Sequence, residues 1–315
     1  MSIAVVFPGQ GSQSVGMGRA LAEAFPDASH VFEEIDDALG QSLSRLMWEG
    51  PEDQLTLTEN AQPALMAVSL AVMRVLEAQG NWRLADKAAF VAGHSLGEYS
   101  ALAAAGSFAL ADAARLLKLR GQAMQKAVPV GAGAMAALLG VDIADASAIA
   151  AEAKGADVCD TANDNAPGQV VLSGNKEAIE RAIAIAAAKG FKRSVLLPVS
   201  APFHCELMRP AADAMRAALE KVRLDSPVVP LVANVTARPV SDAGQIRRQL
   251  VEQVTGTVRW RESVLAMKDL GVATLIEVGA GKVLTGLTKR IDKEMNGVSL
   301  QTPEDVEAFL EKGAA

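Results

Sequence analysis

The sequence predicts an α/β fold with a smaller α+β module inserted into it. Two patterns carry this. Short Val/Ile/Leu runs alternate with longer Ala-rich helical stretches over most of the 315 residues, and in the middle of the chain a strand–helix–strand rhythm occurs twice in succession. The length suffices for one large domain with an insert and for a sizeable core. With 50% apolar and 21% charged residues, the composition is that of an ordinary globular protein.

Ile3–Phe7 reads as a buried strand, followed by the turn-rich segment Pro8-Gly9-Gln10-Gly11-Ser12-Gln13. A helical pattern covers Pro63–Ala78, with Pro63 placed as a first-turn residue, where its missing N–H costs nothing. Ala88–Ala92 is a second short apolar strand. It runs into Gly93-His94-Ser95-Leu96-Gly97 and then an Ala-rich helix, Glu98–Ala105. A long amphipathic helix spans Leu110–Ala127, and Pro129, Gly131 and Gly133 break the chain after it.

The inserted module follows, at 128–198. A strand (Ala134–Val141) leads to a helix (Ala144–Lys154) and to strand material around Gln169–Leu172. A helix (Glu177–Lys189) and a strand (Ser194–Val199) close it. This is the rhythm of a ferredoxin-like split βαβ unit. Beyond Ser200 the alternation resumes, with Leu231–Val235 and Thr274–Val278 as strands.

The net charge of −7 excludes wholesale nucleic-acid binding, which needs a positive footprint. Cys159 and Cys205 stand without metal-ligand spacing, so no metal site and a reduced, cytoplasmic chain are expected. Ile3–Phe7 is too short and lacks the basic flank of a secretory signal. No run reaches the roughly 18 apolar residues of a membrane span.

Gly93–Gly97 fits G-x-S-x-G between a strand and a helix, the context that makes the pattern meaningful. Glycine two residues either side lets a strained strand–turn–helix close, raising the Ser95 hydroxyl at the mouth of the sheet. The Leu96 backbone N–H then points where an oxyanion would form. A tight turn with a capping serine is the plainer alternative. A nucleophilic serine needs a base, and the chain has three histidines. His94 adjoins Ser95 at a sharp turn where neighbours diverge. His30 lies on a charged, solvent-facing helix. His204, in the loop Ser200–Cys205, is the candidate by elimination. Cys205 has no elbow and reads as a packing residue. No Asp or Glu stands out as a third triad member, but a backbone carbonyl would serve to hold the imidazole.

Arg120 is the second clue. Its helical neighbours are Leu116, Leu117, Ala123 and Met124, so it is a lone charge in an apolar stripe. A buried guanidinium requires a partner. That partner is either an internal carboxylate or a substrate anion gripped by the planar fork.

The chain resembles bacterial malonyl-CoA:acyl carrier protein transacylases over its whole length. The matching segments are Phe7–Gln13, Gly93–Tyr99, Arg120 in its helix, Asn165-x-Pro167-x-Gln169, Phe203-His204, and Glu277-Val278-Gly279 through Val283-Leu284. The resemblance implies an α/β-hydrolase-like core of residues 1–127 and 199–315 around the ferredoxin-like insert. It implies Ser95 as nucleophile and His204 as base, with an oxyanion hole from the backbone N–H groups of Gln10 and Leu96. Arg120 would hold the malonyl carboxylate, and the backbone carbonyl of Gln253 would orient His204. Phe203 matches the malonyl-selecting version. The implied partners are malonyl-CoA and acyl carrier protein, with coenzyme A thioester as substrate and no cofactor. Thr257 and Ala280 depart from the pattern, standing where relatives often have proline.

Two other classes share parts of this sequence. A serine esterase has the same elbow, but transfers the acyl group to water. A nucleotide binder is mimicked by Gly9-x-Gly11-x-x-Ser14, which lacks the third glycine, and by Gly279-Ala280-Gly281-Lys282, where Val283 replaces the Ser/Thr of a phosphate loop. For carrier docking, the basic clusters are Lys189, Lys192 and Arg193, and Lys289, Arg290 and Lys293.

Overall fold

The computed structural model describes residues 2–313. Among the described residues ten strands form two separate sheets. They are β1 (Ser2–Phe7), β2 (Phe90–Gly93), β3 (Gly133–Leu139), β4 (Cys159–Ala166), β5 (Gln169–Asn175), β6 (Arg193–Leu196), β7 (Leu231–Ala233), β8 (Arg238–Val240), β9 (Val272–Val278) and β10 (Asn296–Leu300). The large sheet has the order β10-β9-β1-β2-β7-β8 and is parallel except for β8 on β7. β1 lies at its centre and is apolar on both faces, as a strand covered by helices on both sides must be. Val5 and Phe7 join the main core, while Ala4 and Val6 pack on the other face with Trp260, Val264 and Leu275.

The second sheet has the order β4-β5-β3-β6 and is antiparallel throughout. Its strands alternate with period two. Ala136, Leu138, Val170 and Leu172 face the helices Ile143–Lys154 and Lys176–Ala188. Met135, Ala137 and Val171 face the other way and belong to the main core.

Five elements differ from the sequence expectation. The strand around Gln169–Leu172 is a pair, β4 and β5. β4 reads CDTANDNA, and its polar side chains hide it from any hydrophobic pattern. The final strand of the module ends at Leu196, and Leu197–Val199 leave the sheet to line a cavity. The helix of Pro63 begins at Thr58 and runs to Gly80, so Pro63 lies inside it. There the fifth peptide of the helix loses a hydrogen bond, beside the point where Gly121 lets the helix Leu110–Ala127 touch it. A Cβ on Gly121 would lie 2.4 Å from Glu59 Cα. Finally, β8 and β10 are short edge strands with no sequence signal of their own.

Thr58–Gly80 is long and apolar enough to cross a membrane by length and composition, but 78% of its most apolar window is buried inside the fold, as befits a core helix. The departure at Thr257 has a structural use. Its hydroxyl donates to Thr161 O at 2.6 Å, and Val258 bonds β4 on both sides, to Ala162 O at 2.8 Å and from Asp164 N at 3.0 Å. The small sheet is joined there to the segment that leads into the helix Trp260–Asp269, with Arg261 Nη2 on Asp164 Oδ2 at 2.8 Å.

Candidate active site

Ser95 stands between β2 and the helix Gly97–Ala104 with φ of +53°, a left-handed conformation that costs a non-glycine residue of order 1 kcal/mol. The flanking glycines are obligatory. A Cβ on Gly93 would lie 1.9 Å from Gly97 C, and one on Gly97 would lie 2.3 Å from Phe7 O. Asn234, which follows β7, braces the turn. Its Oδ1 accepts from Ser95 N at 2.8 Å and its Nδ2 donates to Gly93 O at 2.7 Å.

His204 comes from the loop before the helix Arg209–Leu219, and it too has a positive φ, +58°. Its Nε2 lies 2.7 Å from Ser95 Oγ, and its Nδ1 lies 2.8 Å from Gln253 O at the end of the helix Ala243–Gln253. The carbonyl can only accept, so Nδ1 carries the proton and Nε2 faces the serine as a base. Burial and the charge of Arg120 push the imidazole down to about 3. His94 turns away, with Nε2 2.8 Å from Asn165 Oδ1 and its ring beside Trp260. His30 is exposed on its helix. The thiol of Cys205 is buried on Pro202 O and pushed up to about 11 by burial.

Arg120 is 1% exposed, yet no carboxylate forms an ion pair with it among the described residues. Of the two partners expected for it, the internal carboxylate is absent. Nη1 donates to Gln62 Oε1 and Nη2 to Gln253 Oε1, both at 2.8 Å, and Nη2 also reaches Ser95 Oγ at 3.2 Å. The Tyr99 ring lies 5.7 Å away. Two neutral amides thus aim a full positive charge at the serine. Gln62 extends the chain through Thr58 Oγ1 to Gln10 Oε1, each step 2.8 Å. This ties the guanidinium to the loop after β1.

Gln10 and Leu96 both line a cavity of about 410 Å³ with Ser95, Arg120, Phe203 and His204. Their backbone N–H groups have no internal acceptor among the described residues. Met135 and Leu197 of the small unit and Val199, just beyond it, line the same cavity. No group of acidic, histidine or cysteine side chains that could hold a metal occurs among the described residues. The six residues singled out in the sequence, Ser95, His204, Gln10, Leu96, Arg120 and Gln253, therefore converge. Gln62 and Asn234 were not anticipated, nor was the side chain of Gln253. Of these, only Asn234 is a lone polar residue in an apolar run, Leu231–Val235; Gln62 and Gln253 have polar neighbours and carry no such signal.

Fold and site together define a class: α/β proteins with a serine on a strand-to-helix elbow, equipped for acyl transfer. Residues 4–302 match the acyl transferase domain family. The malonyl CoA-acyl carrier protein transacylase of Escherichia coli K12 is 47% identical over 98% of both chains. An acyl-carrier-protein S-malonyltransferase from Bartonella henselae superposes with a TM-score of 0.97 at 55% identity, covering 100% of both chains. A malonyl-transacylase solved in complex with a type II polyketide acyl-carrier protein superposes at 0.95, with 43% identity over 99% of this chain and 100% of that one. The chain belongs to the family of malonyl CoA-acyl carrier protein transacylases.

Proposed function

We propose that the protein moves malonyl from malonyl-CoA to the phosphopantetheine thiol of an acyl carrier protein, in a ping-pong cycle through a malonyl ester on Ser95 that supplies fatty acid elongation. The observation that carries this is the buried, carboxylate-free guanidinium of Arg120, 3.2 Å from the nucleophile. It matches an acyl group that ends in a carboxylate.

In this reading Ser95 Oγ attacks the thioester carbonyl while its proton passes to His204 Nε2. The N–H groups of Gln10 and Leu96 receive the oxyanion. The C–S bond breaks and coenzyme A leaves as the thiol, taking the proton from His204. The carrier thiol then attacks the ester by the reverse path, and Ser95 regains its proton. Phe203, 9% exposed beside His204, closes the acyl slot, and the site uses no cofactor or metal.

Residues 1–127 and 199–315 form an α/β-hydrolase-like unit, and 128–198 form a ferredoxin-like insert. The small sheet supports this with its antiparallel order and two helices on one face. The carrier docks on basic surface in this reading. Lys189 is held by Glu152 at 3.0 Å and Arg290 by Gln169. Lys192 and Arg193, and Lys289 and Lys293 of the second cluster, are exposed and have no acidic partner among the described residues, so both clusters retain free steering charges. A cytoplasmic setting agrees with two buried, unpaired thiols.

Intact mass after mixing with malonyl-CoA tests the reading. A malonyl adduct that maps to Ser95, passes to a phosphopantetheine thiol and is absent from Ser95→Ala supports it. An adduct that persists in Ser95→Ala overturns it. Free malonate as the dominant product with carrier present would favour the esterase.

A further inference from the structure

Glu98 follows the elbow directly, and the reaction outlined above leaves it without a task. It is 1% exposed. Its Oε2 accepts from Gln253 Nε2, while its Oε1 has no partner among the described residues. Gln253 turns its other amide atom to Arg120, with Oε1 2.8 Å from Nη2. A single amide therefore stands between a buried carboxyl and a buried guanidinium, which do not pair directly.

The surroundings of Glu98 contain one fixed charge. From the helix Leu110–Ala127 that is Arg120. From its own helix comes Tyr99, held as the neutral phenol by burial. Asn234 presents its backbone N–H and Gln253 its amide, whose Nε2 also donates to Ser95 O at 2.9 Å and Asn234 Oδ1 at 3.2 Å, and His204 lies beyond the Gln253 carbonyl as the neutral imidazole. An ionised carboxylate with a bare buried oxygen is expensive, and burial holds this acid up at about 8. Were Glu98 ionised, its charge would offset that of Arg120 across the amide. It would also repel an acyl carboxylate arriving in the slot.

We propose that Glu98 is a positioning residue that acts as a neutral acid, holding the Gln253 amide with its oxygen toward Arg120 so that the guanidinium keeps its orientation and its full charge for the acyl carboxylate. The inference rests on the malonyl-transfer reading. It makes Glu98 a determinant of malonyl specificity through two intervening side chains.

The experiment follows Ser95 acylation by malonyl-CoA and by acetyl-CoA, using rapid quench and intact mass, in the parent, Glu98→Gln and Glu98→Ala. Glu98→Ala lowers malonyl kcat/KM about tenfold or more, chiefly through KM, and acetyl by less than about threefold. Glu98→Gln, which keeps the acceptor and cannot ionise, recovers most of the malonyl loss. Between about pH 7 and pH 9 the parent loses malonyl acylation by about tenfold as Glu98 ionises, whereas its acetyl profile and both Glu98→Gln profiles stay flat. An alkaline fall retained in Glu98→Gln overturns the proposal. So do equal malonyl and acetyl losses in Glu98→Ala. If Glu98→Ala does not fold, the Glu98→Gln pH profile decides alone. Failure of the underlying reading looks different: the parent itself then forms no malonyl adduct on Ser95.

Discussion

The charge on Arg120 is held by amides, and that choice of partner has measurable consequences. An acid in place of Gln62 or Gln253 would satisfy the guanidinium and leave nothing for a substrate. Amides orient it and leave its charge unspent. Truncating one partner of a buried charge pair costs roughly 2–5 kcal/mol, and each decade of rate is about 1.4 kcal/mol. Arg120→Ala should thus lower malonyl acylation by about 30-fold or more in kcat/KM while sparing acetyl, which has no carboxylate to grip. Equal losses for both thioesters would make Arg120 structural. His204 carries a second expectation at this scale. Burial and Arg120 hold it down at about 3, against about 6.5 in an unfolded chain. It remains a neutral base throughout the mildly acidic range, so the acylation rate should show no acid limb near the ordinary histidine value. The folded state binds fewer protons than the unfolded one between those values. The contribution of His204 to stability is therefore complete above about pH 6.5 and is lost as pH falls toward about 3. Pre-steady-state acylation against pH, with His204→Ala as the reference, checks the kinetic half. Denaturant titrations across the same range check the other.

The elbow is an element whose geometry depends on two glycines and one asparagine. Gly97→Ala drives a methyl into Phe7 O, a backbone atom that cannot swing aside. Overpacking of this kind costs about 1–3 kcal/mol. Displacing the Gly97–Ala104 helix from the end of β1 also moves Oγ off His204 Nε2. The expected result is a lowered denaturation midpoint together with a rate loss of about 100-fold or more. Gly286 provides the contrast. It lies in the helix Val283–Ile291, and an added Cβ meets nothing within 4 Å. Gly286→Ala should leave acylation intact and stabilise the protein by about 0.5–1 kcal/mol. If the two substitutions behave alike, close approach at the elbow is not what requires glycine there. The edge strand β6 shows the same dependence on place. It stops at Leu196 so that Leu197–Val199 can turn into the cavity.

At the scale of the whole molecule, the site exists only because the small sheet is locked to the rest of the fold. Met135, Leu197 and Val199 line the same cavity as Ser95, Arg120 and His204. The lock is where Val258 pairs alongside Asn163 of β4 and Arg261 pairs with Asp164. The Asp164 side chain is 1% exposed and that of Arg261 is 25% exposed. Removing the arginine leaves a buried carboxylate unpaired. Its partial exposure puts the cost below that of a fully buried pair, at about 2 kcal/mol. Arg261→Ala should lower stability by that amount in urea titrations and raise KM for malonyl-CoA as the walls loosen. Adding Asp164→Asn should return part of the loss, because the stranded charge is then gone. A strictly additive double mutant would show that the pair does not couple the two units.

Local patterns were enough to pick out residues that the fold brings together, Ser95 with His204 and Arg120. Strand, Gly-x-Ser-x-Gly and helix stand in one contiguous segment, so Ser95 and the Leu96 N–H could be placed without distant information. Arg120 betrayed itself as a charge at helical spacing among Leu116, Leu117 and Met124, because burial shows in periodicity even when the partner does not. His204 came from elimination among three histidines. The parallel α/β alternation was legible for the same reason: strands buried on both faces are apolar throughout. β4 escaped because its polar side chains find partners far along the chain, Thr161 on Thr257, Asp164 on Arg261 and Asn165 on His94. The same distance hid the pairing of Asn234 with the elbow, of Gln62 with Arg120, and of Glu98 with Gln253. A side-chain amide carries no preference for its partner in its own neighbourhood. Hydrogen bonds between residues far apart in the chain are decided by how helices and sheets pack, and only the folded structure contains that information.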